Sequence, residues 1–380
     1  AVNGDVIGYC VKNGKLFIAI NNTWLESSDP DTEASPAFSN LTGNLKVGVN
    51  RFGDTGTDVT TLNFGQTGFT YTPPTGAKAI STDNLPLSNG DLSTFVWIKN
   101  RDATDNHMLF DAVRGVTKDV HSNTTDLEAT NANTLTRFLK NGFEVSNDVQ
   151  VNTSAENYVA WQWLNDSLTT STNNDGDITS TVLANTTSGF SIVTAAPSLS
   201  GTENIGHGLG LAPKMILGKN LDLADNWYVY HDAISPAQSI SLNTTGAATT
   251  TRYNAATTSS VFQIVNGAWT NGGQRCLWYC FAEVEGFSKF GTFTGNGSTT
   301  DGPFIYTGFT PEFFIWKRTD SATYGDWTMM DTKRDPFNMA ERNMRANSTI
   351  ADDTGEANLD FVSNGIKHRG GTSARFNQSG

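Results

Sequence analysis

The sequence predicts an all-β protein made of tandem antiparallel β-sandwiches, and three observations carry that expectation. Eight Asn-Gly pairs punctuate the chain, at Asn3, Asn13, Asn89, Asn141, Asn266, Asn271, Asn296 and Asn364. Asn-Gly accepts the positive φ that a two-residue hairpin turn demands at both central positions. Helical periodicity is nearly absent, its best candidate being the short stretch Asn338–Ala346 after Pro336. Finally, one sheet-forming unit of about a hundred residues recurs three times, close to the size of an independent sandwich.

The composition suits such a fold. Apolar residues make up only 37% of the 380, but 22 Phe, 9 Trp and 9 Tyr supply large bodies to bury. Each aromatic buries roughly 150–250 Å², so several modest cores can be filled with few aliphatics. The formal charge of −13 argues against nucleic acid, whose binding needs a basic patch to displace counterions. It suits a protein working outside a cell. No apolar run approaches the roughly 20 residues of a membrane helix. Cys276 and Cys280 share one strand-like run, R-C-L-W-Y-C-F-A. At about 3.3 Å per residue they lie roughly 13 Å apart, beyond disulfide reach. With Cys10 they read as free thiols.

The repeat is anchored on three lysines. F-V-W-I-K-N-R-D (Phe95–Asp102), M-I-L-G-K-N-L-D (Met215–Asp222) and F-F-I-W-K-R-T-D (Phe313–Asp320) align on Lys99, Lys219 and Lys317. Each is followed by an apolar strand ending in acid, placed at Asp111, Asp232 and Asp331. Then come S-N-T-T at Ser122, L-N-T-T at Leu242 and A-N-S-T at Ala346. A closing strand, Y-V-A-W-Q-W (Tyr158–Trp163), matches C-L-W-Y-C-F (Cys276–Phe281). Copies two and three share openings, Gly189-Phe190-Ser191 with Gly286-Phe287-Ser288. The expected division is 1–82 for a first partial sandwich, then 83–165, 189–284 and 285–380 for the repeats. The copies are expected as beads on a string, with polar Asn165–Gly189 as a linker. Copy three reaches Gly380 without a counterpart of Y-V-A-W-Q-W, and a fragment is expected rather than a strand lent by another chain.

The stretch G-D-V-I-G-Y-C-V-K-N-G-K-L-F-I-A-I-N-N-T-W-L (Gly4–Leu25) resembles the second half of a SPRY domain. Pro36–Phe38, Leu45–Val49, Leu62–Gln66 and Phe69–Ala79 continue the resemblance. The remainder resembles the lectin-like repeats that follow SPRY-type domains in tail-fibre and virion proteins of marine bacteriophages. Gly206–Met215, Tyr279–Gly291, Thr294–Phe309 and Asp331–Pro336 carry it, together with Phe95–Arg101. The resemblance implies a non-enzymatic virion protein at the particle surface, a tail or head fibre contacting the host. Its implied partners are other virion proteins, a host surface glycan or protein, and further copies of itself. The alternative is an extracellular adhesin or glycan-binding module of a cell. No cofactor, metal or membrane is expected.

Catalytic signatures such as G-x-S-x-G, H-E-x-x-H and the P-loop are missing from the sequence. His107 and His231 lie near Asp111 and Asp232, a superficial acid–base pairing, yet copy three carries Trp327 and Met330 around those places. Arg114 and Arg334 follow Asp111 and Asp331 at the same offset, where copy two shows Ser235. They could clamp an acidic sugar or simply close a loop. Trp227, Tyr228, Tyr324 and Trp327 could stack on sugar faces, although alternation within strands makes core packing the default. Asn173-Asn174-Asp175-Gly176-Asp177 has the oxygens of a calcium loop without the later bidentate acid.

Overall fold

A computed structural model describes residues 5–41, 63, 69–75, 77, 92–198, 201–250, 252–269, 272–354, 358–370 and 377–379. Leu45–Val49, most of Leu62–Gln66, and the Asn3, Asn89 and Asn271 turns lie outside these residues. The chain divides into two compact units, 1–88 and 89–380.

In the first unit β1 (Ile7–Lys12), β2 (Lys15–Ile20) and β3 (Thr23–Trp24) form an antiparallel meander. Asn13 and Gly14 turn β1 into β2 with φ of 47° and 71°, as Asn-Gly hairpins require.

The second unit holds the repeats. Copy one comprises β4 (Leu92–Asn100), β5 (Met108–Asp111), β6 (Lys118–His121), β7 (Ala129–Thr130), β8 (Leu135–Leu139), β9 (Gly142–Val145) and β10 (Tyr158–Asn165). β11 (Ser171–Asn173) and β12 (Ser180–Asn185) follow. Copy two comprises β13 (Phe190–Ala195), β14 (Thr202–Gly206), β15 (Pro213–Asn220), β16 (Tyr228–His231), β17 (Gln238–Ser241), β18 (Thr249–Thr250), β19 (Val261–Val265) and β20 (Cys276–Ala282). Copy three comprises β21 (Phe304–Tyr306), β22 (Phe313–Trp316), β23 (Thr328–Asp331), β24 (Met344–Arg345), β25 (Asn358–Val362) and β26 (Gly365–Gly370). The fold is all-β and antiparallel, as expected.

Each copy packs an inner sheet against a small outer one. The inner orders are β10-β4-β5-β6-β7, β11-β12-β13-β20-β15-β16-β17-β18 and β22-β23-β24. The outer sheets are β8-β9, β14-β19 and β21-β26-β25. The inner strands read as unbroken apolar runs because both faces are covered. In β4, Val96 and Ile98 enter copy one's own core, while Phe95 and Trp97 point the other way. Ile216 and Leu217 divide likewise in β15, and Met330 and Met329 in β23.

The outward-pointing set meets in the middle. A single cluster joins Phe95, Trp97 and Leu109 of copy one, Leu217, Trp227 and Val229 of copy two, and Trp327, Met329 and Met344 of copy three. The expected beads on a string are therefore replaced by three sandwiches around one shared core. Aromatics too large for a thin two-sheet core supply that common centre. Main-chain hydrogen bonds close the ring with the same positions each time. Glu128 N donates to Leu221 O at 2.9 Å, Ala248 N to Thr319 O at 3.0 Å and Asp352 N to Arg101 O at 2.9 Å.

Two further expectations change. Asn165–Gly189 contributes β11 and β12 to copy two's sheet, its Thr and Ser side chains suiting an exposed strand. Asn338–Ala346 forms no helix and instead supplies β24.

Candidate functional site

The recurring polar residues bind one copy to the next. Trp227 Nε1 donates to His121 O at 2.7 Å, and Trp327 Nε1 to Ser241 O at 2.8 Å. His107 takes the equivalent place in copy one and accepts from Trp97 Nε1 at 2.9 Å. Burial, and then the Lys99 charge, hold His107 well below the usual histidine range against the opposing Arg345 and Ser348 backbone. Lys219 Nζ reaches Thr125 O and Lys317 Nζ reaches Thr245 O, each at 2.9 Å in the preceding copy. Lys99 instead bonds within its own copy, to Asn100 O and Ala103 O. The asparagine of each N-T/S-T segment clamps a strand start: Asn123, Asn243 and Asn347 Oδ1 accept from the backbone N of His107, Trp227 and Trp327.

At two of the three junctions a buried ion pair receives an aromatic from the neighbouring copy. Arg114 Nε meets Asp111 Oδ2 at 2.5 Å, and Tyr279 of β20 donates to the same oxygen at 2.8 Å. Burial opposes the Arg114 charge, but Asp111, Tyr279 and Glu128 prevail and raise its pKa further. Burial, reinforced by Asp111, pushes the Tyr279 phenol well up. In copy three Arg334 Nε meets Asp331 Oδ2 at 2.7 Å, and Trp161 Nε1 of β10 donates to that oxygen at 3.2 Å. Asp352 Oδ1 accepts from Arg334 Nη1 at 2.7 Å.

The third junction differs. Phe95 pairs with Asp111, Met215 with His231 and Phe313 with Asp331. The counterpart of the two aspartates is therefore His231, not Asp232, and that of the arginines is Ile234, not Ser235. The Asp–Arg pair has become His–Ile. A cleft of about 260 Å³ opens here, lined by Lys214, His231, Asp232, Glu283, Lys289 and Phe290. Its charges are paired at the rim, Lys214 with Asp232 and Lys289 with Glu283, both at 2.6 Å. Burial lowers the pKa of His231, whose ring stands edge-on to Phe290 with centroids 6.5 Å apart. The cleft thus sets one imidazole and one aromatic ring among charges that are paired with each other.

The residues proposed for sugar contact are mostly interior. Trp227, Tyr228 and Trp327 are buried, as are the Arg114 and Arg334 side chains. Tyr228 lies under the Arg252 guanidinium, 3.9 Å from ring centroid to Cζ. Tyr324 alone among them is exposed, at 45%. These six are not gathered on one face. His107 precedes β5 and Asp111 ends it, so the strand separates the two. In the Asn173–Asp177 loop, Asp177 Oδ2 accepts from Asn204 N and Nδ2, and Asp175 Oδ2 from Asn173 Nδ2. Among the described residues no cluster of three His, Cys, Asp or Glu could hold a metal ion. Cys10, Cys276 and Cys280 are free. The cross-copy partners Tyr279, Trp161, Glu128 and Asp352 escape a reading of the sequence. The one available signal is that Trp161 and Tyr279 hold the same place in their closing strands.

No curated protein and no solved structure matches the chain. One family does, over residues 75–380, a span that takes in all three copies and their shared core. The chain belongs to the family described as a domain of unknown function, DUF7483.

Proposed function

We propose that this chain is a non-enzymatic virion structural protein, a tail or head fibre or appendage that presents a rigid β-domain to a host surface. The observation that supports it most is where the recurring polar residues go. Lys219 and Lys317, and the Asp–Arg pairs at 111/114 and 331/334, are all engaged in joining one copy to another. What the repeats keep is scaffold, and the loops that join their strands are where a specificity for a partner would sit. The SPRY-like start and the phage-like repeats agree with this reading, as does an acidic pI near 4.7. Other virion proteins and a host glycan or protein are its partners, with self-association of the chain. Antibodies against the chain, imaged on intact particles by electron microscopy, should decorate the exterior. Particles that bind none on the outside while containing the chain would refute the proposal.

A further inference from the structure

Main-chain hydrogen bonds place the three copies in one frame around the cleft at His231. Ala112 N donates to Thr94 O at 2.8 Å, Asp232 N to Lys214 O at 2.8 Å and Thr332 N to Glu312 O at 2.9 Å. Lys214 therefore stands where copies one and three have Thr94 and Glu312, and Asp232 where they have Ala112 and Thr332. One residue earlier, His231 stands where they have Asp111 and Asp331. Each of those aspartates is held by its own arginine and by an aromatic of a neighbouring copy, Tyr279 or Trp161. Copy two has none of these fillings. It has a cleft of about 260 Å³ and a different set of polar groups around it.

These groups keep bonding capacity in hand. Lys214 and Lys289 each give one N–H to a carboxylate, of Asp232 and Glu283, and an ammonium carries further donors beyond that one. The other oxygen of Glu283 accepts from Phe290 N at 3.3 Å, which ties Phe290 to the wall. Ala233 N donates to His231 Nδ1 at 3.1 Å, so the proton of the neutral ring sits on Nε2 as one more donor. Each ion pair thus sets an acceptor oxygen beside a donor nitrogen. A hydroxyl group both donates and accepts, so two adjacent hydroxyls can bond to such a pair without breaking it. A charged ligand gains little here, because every charge it meets is accompanied by the opposite one. Phe290 adds an apolar ring, and an apolar surface with a few fixed polar groups is the common make-up of a small-molecule site.

We infer that this cleft binds one neutral pyranose, its adjacent hydroxyls on the two ion pairs and its C–H face against Phe290. Its volume lies below the roughly 300–1,000 Å³ of pockets for drug-sized ligands, which suits one sugar ring rather than a run of them. The end or a branch of a glycan meets that condition. The scaffold fixes the site, because Lys214 lies in β15, His231 ends β16 and Glu283 follows β20. The Val284–Ser288 bridge holds the turn that brings Lys289 and Phe290 back to it. For the source of its sugar the site rests on the host-contact reading above, and it gives that contact an address in the chain.

The test is saturation-transfer NMR on the full 380-residue chain. The probes are glucose, galactose, mannose, N-acetylglucosamine and N-acetylgalactosamine, and at least one should bind saturably. Asp232→Asn and Lys289→Gln alter exposed side chains outside the cores, and each should weaken that binding at least about fivefold. Phe290→Ala should remove it. Glucuronic acid and glucosamine, both charged at neutral pH, should bind more weakly than the best neutral sugar. No probe binding more tightly than about 10 mM would overturn the inference. Binding that either surface variant leaves unchanged, or a charged sugar that binds as well, would do the same. Sugar binding by a chain that antibodies never find on the particle exterior would sink the virion reading and leave the site standing. Exterior decoration without sugar binding would have the reverse effect.

Discussion

Asn243 illustrates how much a single repeated side chain carries. Its Oδ1 accepts from Trp227 N at 3.0 Å and its Nδ2 donates to Asn226 Oδ1 at 2.8 Å, fixing where β16 begins. Asn243→Ala leaves a backbone N–H without its acceptor, and a loss of about 1–3 kcal/mol is expected in urea unfolding. Lys219 makes a pH-dependent prediction. Burial pushes its ammonium down from 10.5 to about 8. Between those values the native state binds fewer protons than the unfolded chain, so this lysine makes stability rise with pH. Cys276 acts in the opposite sense, because burial raises its thiol from 9.0 to about 12 and favours the unfolded chain above pH 9. Comparing wild type with Lys219→Met in a Cys276→Ala background removes the cysteine, whose charge interacts with that of Lys219. The stability lost in the variant should grow from about pH 8 to about 10.5, and a constant difference would contradict the assigned shift.

Elements trade volume across the shared core. Where copies two and three have Leu217 with Trp227 and Ile315 with Trp327, copy one has Trp97 with His107. The large ring sits on β4 in one copy and at the start of the second inner strand in the others. His107→Trp alone overfills this space and should cost about 1–3 kcal/mol. Adding Trp97→Leu should recover most of it, a coupling that a double-mutant cycle by denaturation would reveal as strongly non-additive. This trade also marks what the sequence discloses. Strands, Asn-Gly turns and the repeat are legible because each is local: alternation, φ preference and spacing. The pairing of Tyr279 with Asp111 spans 168 residues and leaves no local trace. The aspartate anchoring the alignment slips by one residue in copy two, where Asp232 follows His231. Only strand register exposes that slip. The sugar-facing assignment for Trp227 and Trp327 gives way for a related reason. Alternation tells which side of a strand a residue takes, and here both sides are interior.

Across the whole second unit, Asp352 joins Trp161 and Ser122 in fastening its first copy to its last. It accepts from Arg101 Nε and Arg334 Nη1, each at 2.7 Å, with its side chain only 7% exposed. Asp352→Ala takes one of two carboxylates from Arg334, which keeps Asp331 at 2.7 Å, and should cost about 1–3 kcal/mol in urea unfolding. Because the copies share a core, thermal unfolding of residues 89–380 should remain a single transition at lower temperature. Calorimetry showing copy three melting separately would argue against the shared core.

The joining of Arg101 to Asp352, 251 residues apart, also sets a timetable. At roughly 5–20 residues per second, a ribosome needs on the order of ten to fifty seconds between making the two. Copy one can pair its own strands in that interval, but Trp97 and Phe95 must wait for Trp327 and Tyr279 before their inner faces are covered. A nascent chain of this kind exposes aromatic surface for longer than a string of self-sufficient domains would. Its yield in a cell should therefore depend on chaperones until the last copy emerges.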